Sequence, residues 1–245
     1  MKTMKAVAIL WFLQVVGNAA LLVLFAWWLN WPDSNFGYLT AAALTALVMA
    51  FAALWLHCGT LAYFSEPAEG AGSAFRHAVG RLPAFLLWAA VVAAALWGVQ
   101  WLKDYLPQAS VRFAQILHLS PRTVMKIGEW KLFGLQWIVL PALFWPFAFN
   151  IAGRGFRGWH PRALGFLRRW KYWLGLATAL GLGILVPYKL IWWPLGVGNS
   201  LAHETLSMRA RFGAAYLLCV TCWLVLAVVM RTRENASAEG DEEGH

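Results

Sequence analysis

The chain has 245 residues, 61% of them hydrophobic and 13% charged, with a formal net charge of +9 and a mean hydropathy of +0.58. Soluble domains carry about 25% charged residues, so this composition excludes a soluble core of this size and indicates a multi-pass membrane protein. Beside membrane spans, the natural counterpart of the positive charge is anionic lipid headgroups rather than nucleic acid.

A transmembrane helix needs about 20 mostly apolar residues, and six stretches qualify: 6–31, 38–64, 82–102, 132–152, 172–194 and 210–230. The first opens like a signal peptide, with Lys2 and Lys5 ahead of an apolar run and small residues at Gly17-Asn18-Ala19. That run continues to Leu29, past the roughly 7–15 residues of a signal core, and reads as a retained helix. Trp27, Trp28 and Trp31 close it at an interface. Ser73 is placed to cap a short interfacial helix, AFRHAVGR, before the third span. Residues 108–119 read as another short helix. Ser120-Pro121 then starts a helix that runs into the fourth span, which Pro141 and Pro146 should bend.

Between the fourth and fifth spans lies RGFRGWHPRALGFLRRWK. It holds Arg154, Arg157, Arg162, Arg168, Arg169 and Lys171 and no acid. By the positive-inside rule this loop is cytoplasmic, and six spans then place both termini in the cytoplasm too. Residues 103–131 argue the other way, because Lys103, Arg112, Arg122, Lys126 and Lys131 outnumber Asp104 and Glu129 on the outer side. The denser loop decides. Pro161 sits where a first helical position would be, and Trp159, Leu164, Phe166, Leu167 and Trp170 interleave with the arginines, the composition of an amphipathic interfacial helix. The expected fold is all-α: a six-helix transmembrane domain over 1–233 with short interfacial helices, followed by an acidic tail over 234–245 too polar to fold. Residues 62–98 and 148–184 resemble each other in character, as a parallel repeat of helix pairs would.

The small-Phe-Arg-x-Ala pattern at Ala74-Phe75-Arg76-His77-Ala78, between Ala/Leu-rich spans, resembles the membrane domains fused to some bacterial glycerophosphodiester phosphodiesterases and related uncharacterised polytopic families. The resemblance implies six spans and no catalytic residues in the membrane part.

Four groups of residues are candidates for function. The six basic residues of 154–171 form a candidate headgroup site. Gln14 and Asn18 share a helix face, which must point into the bundle to find partners. Lys189 follows Pro187 near the outer end of the fifth span, where Glu204, Arg209 and Arg211 arrive with His203, so a candidate cavity joins Gln14 and Asn18 with Lys189, His203, Glu204 and Arg209. Cys219 and Cys222 have the spacing of a redox pair, but their depth in the sixth span matches small residues at a helix contact. His57 reads as an interfacial histidine bonded to a backbone carbonyl.

No H-E-x-x-H, G-x-S-x-G or P-loop occurs, and no acid lies inside a span. The sequence therefore predicts a non-enzymatic protein of a bacterial inner membrane, without metal or cofactor. Its expected role is that of a lipid-associated accessory or assembly factor, with membrane lipids and a second membrane protein as partners. A small-solute or lipid transporter is the alternative, and a membrane thiol oxidoreductase a distant third.

Overall fold

The computed structural model describes residues 2–32, 35–65, 70–193 and 201–231. The described residues form an all-α, multi-pass fold without strands, and six of its helices are long and apolar enough to cross a membrane. The acidic residues of the tail and Asp33 lie outside the described residues.

Helix α1 (Lys2–Trp28) runs against α2 (Phe36–Ser65). Helix α3 (Ala71–Leu117) follows, then α4 (Pro121–Gly134), a π-helical turn (Leu135–Val139) and α5 (Leu140–Arg154). Two 3-10 segments, Gly155–Gly158 and Pro161–Arg168, lead to α6 (Trp170–Leu180), a second π-helical turn (Gly181–Leu185) and α7 (Val186–Trp192). Helix α8 (Leu201–Arg231) closes the bundle. We call the end that carries 154–171 the basic end and the opposite one the far end.

Helix α3 corrects the sequence reading. The expected interfacial helix at 74–81, the third span and the expected helix at 108–119 are one helix of 47 residues. Gly70 is its N-cap, and the Ser73 hydroxyl donates to the Gly70 carbonyl at 2.8 Å instead of accepting from a helix N–H. At 1.5 Å per residue this helix is ~70 Å long, about twice the ~30 Å hydrocarbon core, so it extends well beyond the membrane. It ends at His118, whose left-handed φ of 51° brings its N–H back to the Ala114 carbonyl. Ser120 caps α4 by accepting from the Thr123 N–H at 3.2 Å, with Pro121 at the first turn, as the sequence predicts. Helix α4 then packs back along α3, and Gly128 allows the close approach: a Cβ there would lie 2.4 Å from Leu106. The Lys103 ammonium donates to Gln136 across this hairpin. The unexpected positive charge of 103–131 thus belongs to a helical hairpin reaching past the aromatic side chains Trp97, Trp101, Tyr105 and Trp130.

Both π-helical turns precede a proline, Pro141 and Pro187. A proline ring clashes with the carbonyl four residues earlier, and one wider turn makes room for it. The core concentrates at the basic end. Leu56 and every residue from Cys58 to Ser65 of α2 are buried, and they meet Phe75, Phe85, Phe149, Leu176 and Leu226. Gly59 lets the Phe75 ring lie directly on α2, where a Cβ would come within 2.4 Å of it. The links at 70–81 and 155–169, which the sequence pairs as a repeat, fold differently: the first is α-helical, the second 3-10.

Candidate functional site

The basic segment is a folded shelf. The expected amphipathic α-helix at 161–170 is instead the short 3-10 helix Pro161–Arg168, because the segment must turn between two close helix ends. Gly155 takes φ +60°, which favours glycine. Gly158 lies so close to α5 that a Cβ would be 2.5 Å from the Asn150 carbonyl oxygen. The Arg81 guanidinium of α3 donates to the Ala152 carbonyl at 2.8 Å, placing a cation at the negative end of α5. Ala163 is buried, and Phe166 packs between Phe149 and Tyr172. The Trp173 indole donates to the Leu167 carbonyl at 2.8 Å. Ala163 and Phe166 therefore face inward and the charges outward, with Phe156 and Trp170 exposed among them. Arg154, Arg157, Arg162, Arg168 and Lys171 are exposed, and Arg169 is half-buried with its guanidinium 5.0 Å above the Phe166 ring. Among the described residues every carboxylate, from Asp104, Glu129 and Glu204, belongs to the far half of the molecule, so no described acid faces the shelf; Glu66 and Glu69 lie outside the described residues.

Gln14 and Asn18 do point into the bundle. Gln14 is fully buried, and its amide donates to the Leu56 carbonyl (3.1 Å) and the Thr60 hydroxyl (2.7 Å). Its Oε1 accepts from the Asn18 amide at 2.7 Å, and the same amide donates to the Gln14 carbonyl at 2.8 Å. The face is first of all an interhelical polar rung between α1 and α2. Trp11 adds a donor to Thr221 of α8 at 3.0 Å, and Tyr216 donates from α8 to the Val15 carbonyl.

Beside that rung a groove of about 650 Å³ runs between α1, α2 and α8. Leu21, Leu22, Phe25, Met49 and Ala50 line its length, and the Trp28 indole is held by the Ala42 carbonyl at 2.9 Å. Asn18, His57, Tyr216 and Cys219 supply its polar atoms. His57 departs from the sequence expectation: among the described residues no carbonyl takes its proton and Nδ1 is buried without a partner, and the ring stands edge-on to Trp223 at 5.0 Å. Nothing in the sequence separates this histidine from an ordinary interfacial one, because the groove is built by two other helices.

The other half of the expected cavity does not join this groove. Lys189, His203, Glu204 and Arg209 are exposed at the far end and line none of it. Lys189 and Glu204 form no ion pair among the described residues. Arg211 closes that end instead, donating to the carbonyls of Ile191 (3.3 Å) and Trp193 at the end of α7, and to that of Ser207 (3.3 Å).

The cysteines have a packing role that the sequence could have disclosed. Pro187 has no N–H for the carbonyl of Gly183, four residues earlier. The Cys219 thiol donates to that carbonyl at 2.8 Å, and a Cβ on Gly183 would lie 3.0 Å from the Cys222 Cβ. The two thiols are free. Pro146 likewise frees the Ala142 carbonyl, and the buried Tyr172 hydroxyl donates to it at 2.8 Å. No group of three or more possible metal ligands occurs among the described residues.

No protein-family model, no curated protein and no solved structure matches this chain.

Proposed function

We propose that this protein is a non-enzymatic component of a bacterial inner membrane, with its basic end in the cytoplasm, and that it works as a lipid-associated accessory or assembly factor. The observation that carries the reading is the shelf: positive side chains held outward on a folded 3-10 scaffold, with no described carboxylate to neutralise them. Each basic group near an anionic leaflet contributes about 1 kcal/mol. The spans already hold the shelf at the surface, so this charge is in excess of what insertion needs. Arginine suits phosphate because its planar fork donates two parallel hydrogen bonds. Exposed Phe156 and Trp170 beside the arginines give acyl chains a place to lie.

The test replaces Arg162, Arg168 and Arg169 by Gln and keeps Arg154, Arg157 and Lys171 to hold the orientation, which a C-terminal reporter checks. Native mass spectrometry of wild type should show phosphatidylglycerol or cardiolipin retained, with a clear fall in the triple variant. Equal retention in a correctly oriented variant would reduce the shelf to a topology signal.

A further inference from the structure

We propose that the groove between α1, α2 and α8 binds an isoprenoid quinone or its quinol dissolved in the bilayer, with His57 donating to a ring carbonyl of the quinone and the Asn18 amide oxygen accepting from a hydroxyl of the quinol. This does not rest on the lipid-shelf reading. The argument begins with depth. His57 stands beside Trp223, eight residues from Arg231 on α8, or ~12 Å at 1.5 Å per residue. On α1 the neighbouring Gln14 is nine residues, or ~13 Å, from Lys5. Half of a ~30 Å hydrocarbon core is about 15 Å, so the imidazole lies near the middle of the bilayer. A phospholipid cannot bring its phosphate there, and its acyl chain carries nothing to pair with a nitrogen.

Polar groups at that depth find partners within the protein, and Gln14, Thr60, Tyr216 and Cys219 each do so. His57 Nδ1 does not, and Asn18 Oδ1 has no partner among the described residues. His57 lines the groove, and the broad terminal torsion of its ring lets a nitrogen turn toward a ligand there. The two groups together offer one donor and acceptor (imidazole) and one acceptor (amide oxygen). A quinone takes the donor at a ring carbonyl, and the reduced quinol also donates to the acceptor. Such a molecule is apolar enough to dissolve in the bilayer core and carries its polar atoms at the same depth. The flat ring can lie against the Trp223 indole beside His57, and the course lined by Leu21, Leu22, Phe25, Met49 and Ala50 takes an apolar tail. The volume, about 650 Å³, lies within the range of ligand sites, about 300–1,000 Å³.

The full chain, purified in dodecylmaltoside, is titrated with decylubiquinone and separately with decanol and dioleoylphosphatidylglycerol, and thermal unfolding is followed. Decylubiquinone should raise the Tm saturably, and the two aliphatic probes should not match it at equal concentration. His57→Phe keeps a planar ring without nitrogens and should weaken quinone binding tenfold or more. Ala50→Phe fills the groove and should abolish it, so the test stands even if the His57 variant does not fold. The Arg162, Arg168 and Arg169 triple variant should bind quinone as wild type does. Absence of saturable binding, equal stabilisation by decanol, or binding that survives Ala50→Phe would each overturn the proposal, the second of them assigning the groove to an acyl chain.

Discussion

Tyr172 offers a measurement of how this bundle tolerates its prolines. Its hydroxyl is the donor that replaces the missing N–H of Pro146 at the Ala142 carbonyl, 2.8 Å away, and the ring is 2% exposed. Tyr172→Phe removes one oxygen and leaves the ring packing in place. A buried acceptor left unpaired costs about 1–3 kcal/mol. Interhelical hydrogen bonds measured within membranes average ~0.6 and reach ~1.7 kcal/mol. Because the proline leaves this carbonyl no helical donor, the effect should fall in the upper part of the membrane range, at about 1–2 kcal/mol.

Pro146→Ala supplies the control. It restores an N–H to the Ala142 carbonyl, so the tyrosine hydroxyl is no longer its sole donor. In that background Tyr172→Phe should cost less than about 0.5 kcal/mol. The four proteins form a double-mutant cycle whose coupling energy is more than about 0.5 kcal/mol, whatever Pro146→Ala does by itself to the fully buried site. Reversible unfolding in mixed detergent and SDS micelles measures each corner. A cycle additive within about 0.3–0.5 kcal/mol would refute the reasoning, since independent sites behave that way.

Two further outcomes follow from the same geometry. Gly158→Ala places a Cβ 2.5 Å from the Asn150 carbonyl oxygen, an overlap with backbone, and should cost about 1–3 kcal/mol with reduced accumulation, read by fluorescence size-exclusion chromatography. Cys219→Ser retains a donor to the Gly183 carbonyl and should unfold like wild type, whereas Cys219→Ala should lose about 0.6 kcal/mol; Cys222→Ala should leave any cellular phenotype intact, and loss of function without loss of protein would restore a redox role for the pair.

Apolar run length disclosed the six spans, because a bilayer imposes one length on every crossing segment. It could not disclose where helices stop beyond the bilayer. The 71–117 helix passes through Pro83 and Pro107 without a break, and those prolines, together with Gly80, suggest boundaries that the chain does not use. In a helix this long, tertiary support from α2 and α4 outweighs a local proline penalty of about 3 kcal/mol. The 3-10 shelf departs from its sequence pattern for the opposite reason. Its composition is amphipathic, but Gly155 turns the chain at a positive φ and Gly158 lies so tightly against α5 that no full α-turn develops before Pro161.

The polar contacts divide along a similar line. Gln14 and Asn18 were legible because both partners of that pair are side chains at a helical spacing. Their further partners, the Leu56 carbonyl and Thr60, sit on another helix and carry no mark in the sequence. Two other contacts did carry one. Every proline inside a membrane helix frees the carbonyl four residues before it, and in hydrocarbon a donor must come from elsewhere. By that spacing alone Pro146 names Ala142, and Pro187 names Gly183, as carbonyls in need of a donor. The donors that arrive, Tyr172 and Cys219, are polar residues in neighbouring spans. Reading Cys219-x-x-Cys222 against Pro187 explains the motif by packing and hydrogen bonding. His57 has no such account: among the described residues no proline-freed carbonyl faces it and no side chain accepts its proton, and of the four buried polar atoms left without a partner, on His57, Trp88, Trp159 and Ser207, only that of His57 belongs to the groove lining.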